Sequence, residues 1–243
     1  MGIWKRKVAE QVKRLSRERA LCVSLILYLA LFCLRGAVIS AISPITEGVS
    51  CIAALLLTGV AYLLPIGLYM RLTGADLSQE NGLLLTRAEC RGASEAEGKN
   101  GTLRSCILAV LGAVVFIAAV NLVGMATDMM YSVFGFSVPD SALPQGAELA
   151  FKLVSVILIA PICEELLFRA VVMHALGKYS LRFSVAVSGV LFALIHFSFY
   201  QLPYALCAGL LLAYFYRKSG SFLYVVALHL INNLLTVLLI WLP

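Results

Sequence analysis

Three groups of polar residues interrupt the apolar second half of the chain, and their types and spacing suit the activation of water. Glu164 and Glu165 close an apolar run and are followed by Leu166-Leu-Phe-Arg169. His196 ends the run Leu191-Phe-Ala-Leu-Ile-His196. His229 and Asn233 lie inside the last apolar segment, with Asn232 adjacent. On a helix, Glu165 and Arg169 stand at i and i+4 with the acid first, the favoured order for an ion pair. Glu164 is rotated about 100° from Glu165. One carboxylate can therefore be clamped by Arg169 while the other faces a site. Such a split between neighbouring carboxylates is what a general base needs. His229 and Asn233 are also i and i+4 and project from one face. An imidazole and an amide so placed can coordinate a metal or donate hydrogen bonds to a developing oxyanion.

Each feature alone has an ordinary reading. A glutamate pair at a helix end is usually interfacial charge, and membrane histidines and asparagines are often glue between helices. His174, four residues before Lys178, is expected to be interfacial and without a role. The ordinary readings weaken together. Ionisable groups at the centre of a membrane helix cost about 2.5–3.5 kcal/mol each on insertion scales. Two glutamates, an arginine and two histidines within one apolar stretch must then face a polar interior and pair with one another.

The elements that position these groups follow from composition. Of 243 residues, 61% are hydrophobic and 13% charged, against roughly 25% charged in an ordinary soluble domain. That excludes disorder, collagen, a coiled coil and a small disulfide scaffold. It leaves an all-α, polytopic membrane bundle. Apolar stretches long enough to cross, or to be buried among neighbours, lie near 21–43, 49–70, 105–127, 149–163, 183–200, 203–216 and 221–242. The count is about seven membrane segments, with an eighth around 166–177. The C-terminal helices are expected to enclose the polar site.

The N-terminal charge run Lys5, Arg6, Lys7, Lys13, Arg14, Arg17 and Arg19 fits a retained first helix preceded either by a basic interfacial segment from Ile3 to Leu15 or by a plain topogenic charge cluster. Gly2 lacks the Ser or Thr that N-myristoylation wants at Arg6. With the N-terminus in the cytoplasm, the loop 44–48 has no Lys or Arg and lies outside. The loop 71–104, with Arg71, Arg87, Arg91, Lys99 and Arg104, lies inside. The acidic segment 128–148 lies outside again, and Lys178, Arg182, Arg217 and Lys218 lie inside. The expected organisation is a basic segment 1–20, a two-helix unit 21–71, a flexible cytoplasmic loop 72–103 and a membrane domain 104–243. No repeat at helix-pair spacing appears in the sequence, which weighs against an inverted-repeat transporter. The seven cysteines form no CxxC pair and read as small buried hydrophobes.

Taken together, Glu164-Glu165-Leu-Leu-Phe-Arg169, Phe192-Ala-Leu-Ile-His196 and His229-Leu-Ile-Asn-Asn233 resemble the CAAX prenyl protease and bacteriocin-processing membrane protease family, also called the type II CAAX endopeptidase or Abi family. Ser188-Gly-Val-Leu and Ala208-Gly-Leu look like that family's helix contacts. The resemblance covers roughly 150–240. It implies intramembrane endoproteolysis, with Glu164 as general base, His196 as its partner and His229 with Asn233 holding the oxyanion or a metal. Glu165 and Arg169 would be the supporting ion pair, and Phe192 would shape the site. The family is commonly called a metalloprotease, so zinc or another divalent metal is implied at Glu164, His196, His229 and Asn233. A glutamate mechanism without metal has also been argued for it, and HExxH is absent here.

The expected partners are a membrane peptide or protein substrate and the bilayer, not nucleic acid. The expected place is a bacterial inner membrane, crossed several times. The competing class is a membrane interaction or bacteriocin-immunity protein that keeps the fold without catalysis. The sequence sets no oligomeric state.

Overall fold

The computed structural model of the chain describes residues 17–42, 47–75, 87–136 and 146–241. Among the described residues there are helices and no strands. The helices are α1 (Arg17–Ile42), α2 (Glu47–Thr73), α3 (Arg87–Val133), α4 (146–175), α5 (Leu181–Leu194), α6 (Leu202–Ser219) and α7 (Phe222–Trp241). Among the described residues, four windows are long and apolar enough to cross a membrane: Arg17–Val38, Ile52–Thr73, Ile107–Val133 and Phe222–Leu239. Their outer faces are apolar as well. Ile26, Leu56, Leu122 and Met129 are each 66–70% exposed. Water would reject so much exposed hydrocarbon, whereas acyl chains solvate it. The architecture is the membrane helical bundle the composition implies.

Local sequence sets the ends. Ser180 caps α5, accepting the Phe183 N–H at 3.3 Å. Pro203 sits in the first turn of α6, and Gly220 closes that helix at φ +66°. That left-handed position costs glycine nothing. Ser221 then accepts the Tyr224 N–H at 3.2 Å and opens α7.

Three expectations are corrected. Residues 166–177 form no eighth segment, because α4 runs on through them to Ala175. The segment expected over 183–200 stops as a helix at Leu194. The stretch 87–103, expected as part of a flexible loop, is helical and continuous with the apolar part of α3. Ala88, Glu89, Ala93, Glu95, Ala96 and Glu97 are good helix formers, and they outweigh the glycines that suggested a linker. The interfacial segment Ile3–Leu15 and residues 43–46, 76–86 and 137–145 lie outside the described residues.

The chain divides into two compact units. Unit one, residues 1–80 and 144–178, contains α1, α2 and α4. Unit two, residues 81–143 and 179–243, contains α3, α5, α6 and α7. Within unit one, Lys178 pairs with Glu18, and Tyr69 bonds His174 at 2.7 Å. The start of α1 therefore lies at the same end as the finish of α2 and α4. Within unit two, Tyr224 donates to the Ala109 carbonyl at 2.8 Å, and Tyr200 donates to Asp128. The start of α7 thus lies beside the start of the apolar part of α3, near Ile107, and the finish of α3 lies beside the α5–α6 connection at the other end. Both units have the end pairing that alternating loops require.

Candidate functional site

The carboxylates belong to unit one. Pro161 has no N–H to donate, which opens the helical ladder just before the glutamates. On each side of the short α-helical segment Ala160–Glu165, the helix widens into a π turn, Ser155–Ile159 and Leu166–Val172. Each holds an i to i−5 bond: the Ala160 N–H reaches the Ser155 carbonyl, and the Met173 N–H reaches that of Phe168. Such turns are rare and concentrate at functional sites.

Between them the two carboxylates meet different surroundings. Arg169 Nε donates to Glu165 Oε2 at 2.8 Å, with both side chains at 0% exposure. A buried charge persists only if it is paired, and this pair is the clamp expected from the spacing. Glu164 is half-buried and takes another partner. Its Oε1 accepts from Tyr62 Oη at 3.3 Å, and Tyr62 Oη accepts from Tyr28 Oη at 3.2 Å. Sequence reading missed both tyrosines. Their only signal was a hydroxyl inside an otherwise apolar span. His174 is also corrected. It is buried, bonded to Tyr69 and edge-on to that ring at 5.8 Å between centroids. It therefore docks α4 on α2 rather than idling at an interface.

The imidazoles belong to unit two. Gly189 and Gly209 bring α5 and α6 together. A Cβ at Gly209 would stand 2.9 Å from Phe192 Cδ1 and 3.1 Å from the Gly189 Cα, and one at Gly189 would stand 2.6 Å from Leu210 Cδ2. The small-residue stretches named in the sequence are the contact. They seat Phe192, which is 1% exposed, with its ring 5.2 Å from that of His196 and 5.6 Å from that of His229. Phe192, His196 and His229 are thus gathered around one aromatic ring.

His196 sits just past the end of α5, where carbonyls lose their helical partners. The His196 N–H turns to the Ala193 carbonyl at 3.2 Å. Its ring Nδ1 bonds the Phe192 carbonyl at 2.8 Å. A carbonyl only accepts, so Nδ1 is the donor, which leaves Nε2 as the ring nitrogen that faces away from this bond. Phe197 follows at φ +49°, a left-handed position that a non-glycine residue occupies at a cost of about 1–2 kcal/mol. His229 is buried at 5% exposure, and Asn233 is half-buried one turn further along α7. Asn232, at 1% exposure, donates from Nδ2 to Tyr204 Oη at 2.6 Å, while its Oδ1 has no partner.

Beside them unit two contains a cavity of about 320 Å³, lined among others by Asn121, Asp128, Tyr200, Tyr204 and Thr236. Thr236 lies about one turn beyond Asn233 on α7.

Of the sequence-predicted residues, Glu164, Glu165 and Arg169 fall in unit one, and Phe192, His196, His229 and Asn233 fall in unit two. Within either unit, no group of three or more His, Cys, Asp or Glu among the described residues is placed to hold a metal ion. Neither unit by itself offers the three-ligand set of a hydrolytic zinc site. The cysteine reading holds for Cys163, which is buried, but Cys22 and Cys33 are exposed on the outer, apolar face of α1.

Comparison with known proteins adds one positive finding. Residues 146–235 match the model of the Rce1-like family, described as type II CAAX prenyl endopeptidase Rce1-like. The match spans α4 to α7 and includes all seven predicted site residues. No curated protein and no solved structure matches the chain.

Proposed function

We propose that this chain, a multi-helix membrane protein with the Rce1-like match just described, is an intramembrane endopeptidase that hydrolyses a peptide bond of a membrane-associated protein or peptide. The family match supports a protease of the CAAX type. The observation that carries the finer reading is the split between the two glutamates: Glu165 is locked to Arg169 at 0% exposure, and Glu164 beside it takes a weaker hydroxyl partner.

In the proposed reaction Glu164 takes a proton from water as its oxygen attacks the scissile carbonyl. His196, through Nε2, orients that water. His229 and Asn233 donate hydrogen bonds to the oxyanion, a stabilisation that acts where charge develops. The carbon–nitrogen bond then breaks, and Glu164 returns the proton to the leaving amine. Helix α5 has 14 residues, about 21 Å at 1.5 Å each, shorter than the ~30 Å hydrocarbon core. With its start at one interface beside Arg182, its His196 end lies below the opposite surface, where a membrane peptide passes. The unit-two cavity, lined by the Tyr204 that bonds Asn232, seats the substrate chain on the side of the last helix.

If a divalent metal takes part, Glu164, His196, His229 and Asn233 are its ligands. It would supply a Lewis acid for the oxyanion.

The test is comparative peptidomics of membranes carrying the wild-type chain, Glu164→Gln or His196→Ala. One membrane peptide should accumulate uncleaved in both variants at unchanged protein level. Full activity in both variants would overturn the peptidase reading and favour an immunity or interaction protein. Cleavage in the presence of 1,10-phenanthroline should persist. A loss restored by added zinc would show that a divalent metal takes part.

A further inference from the structure

The family match begins at residue 146, yet the carboxylate assigned as base accepts a hydrogen bond from outside the matched segment. Tyr62 Oη lies 3.3 Å from Glu164 Oε1, and Tyr28 Oη lies 3.2 Å from Tyr62 Oη. The two phenols come from α2 and α1. They are 4% and 0% exposed, and their rings pack at 5.0 Å between centroids.

Packing alone does not call for these hydroxyls. Phenylalanine would fill the same space in two apolar helices without a polar group to satisfy. The direction of the chain is fixed from its end. An ionised carboxylate only accepts, so Tyr62 donates to Glu164 and its oxygen accepts from Tyr28. Hydrogen bonds in such a series polarise one another, and an ionised acceptor strengthens them further. One carboxylate oxygen is thereby fixed against α1 and α2, which orients the other for a water molecule. On the opposite flank Glu165 is tied to Arg169, so the backbone under Glu164 is held as well.

We propose that Tyr62, backed by Tyr28, is a positioning residue for Glu164, and that the two N-terminal helices are thereby part of the catalytic machinery. The inference rests on the peptidase reading above and extends it to a part of the chain that no family pattern covers.

The test uses the full chain reconstituted in phosphatidylethanolamine–phosphatidylglycerol vesicles, as wild type, Tyr62→Phe, Tyr28→Phe, the double variant and Glu164→Gln. Two readouts are taken. The first is the infrared carboxylate stretch of Glu164 in protein labelled with carbon-13 glutamate, assigned by its loss in Glu164→Gln. The second is turnover of two internally quenched membrane peptides, one ending in a farnesylated CAAX sequence and one unprenylated.

Tyr62→Phe should shift the carboxylate band and lower kcat roughly tenfold with KM unchanged, as expected for a hydrogen bond to a charged group. Tyr28→Phe should shift the band less and lower kcat by about threefold. The double variant should match Tyr62→Phe, because Tyr28 acts only through Tyr62. Melting temperatures should stay within a few degrees, since both rings keep their packing. An unshifted band in Tyr62→Phe, or wild-type kcat, overturns the positioning role. Cleavage retained in Glu164→Gln overturns the peptidase reading and the positioning role together. A band shift and an inactive Glu164→Gln with wild-type turnover in Tyr62→Phe overturns the positioning role alone.

Discussion

Glu164 and Glu165 are chemically identical neighbours, and what separates them is partnership. Glu165 is tied to Arg169 in a site with no exposure, so removing either partner strands a charge. Arg169→Ala should cost about 3–5 kcal/mol and lower the melting temperature in detergent by many degrees. Glu164→Gln should leave it nearly unchanged. Replacing the pair together, Glu165→Leu with Arg169→Met, should recover most of the lost stability, because no buried charge then remains. If the double variant melts no higher than Arg169→Ala, the clamp is not the source of the effect. At this scale the sequence was legible wherever partners share a helix, because i and i+4 spacing is visible in a string of letters. The Tyr28–Tyr62–Glu164 series was not. Its members are separated by 34 and 102 residues, and no periodicity links them. His174 was misread for the same reason, since its partner Tyr69 is on another helix.

Helix ends decide where the imidazoles stand. Residues 195–200 are mostly apolar, so hydropathy extends α5 through them. The helix stops at Leu194 because the His196 ring takes the Phe192 carbonyl, and Phe197 then turns the backbone to positive φ. Both are side-chain and backbone choices to which a hydropathy window is blind. The α5–α6 contact, by contrast, was legible as two small-residue stretches, because glycine is the only residue that lets two backbones come this close. Gly209→Val should push Phe192 and the Gly189 backbone apart, since even a Cβ meets both at 2.9–3.1 Å. Overpacking of this kind costs typically 1–3 kcal/mol, and here it also displaces the ring between the histidines. The expected result is a lower melting temperature together with a loss of cleavage larger than the stability loss explains. Gly36→Ala, on α1 in open space, is the matched control and should change neither. A Gly209→Val variant with wild-type turnover would show that Phe192 does not set the histidine geometry.

For the whole molecule, the sequence orders the ends of the helices by charge, and the structure orders them by contact. The two agree unit by unit. In unit one, Lys178 and Glu18 bring the start of α1 to the finish of α4. In unit two, Tyr224 ties the start of α7 to the start of the apolar part of α3, and Asp128 meets Tyr200 at the other end. Contacts pair the ends but leave their sidedness to the charges, and the positive-inside rule assigns Arg182, Arg217 and Lys218 to the cytoplasm. Single cysteines placed in a cysteine-free chain read this directly. Arg182→Cys and Lys218→Cys should react with a membrane-impermeant maleimide only after the cells are permeabilised. Ser132→Cys and Phe199→Cys, at the opposite end of unit two, should react in intact cells, and Phe199 is 90% exposed. Labelling of all four in intact cells would mean that α5 and α6 do not cross. The reverse pattern would open the Asp128–Tyr200 cavity to the cytoplasm. In that case the substrate's hydrophilic flank would have to be a cytoplasmic one. The labelling pattern therefore decides which side of the membrane supplies the peptide, a question that neither the family pattern nor the site chemistry answers.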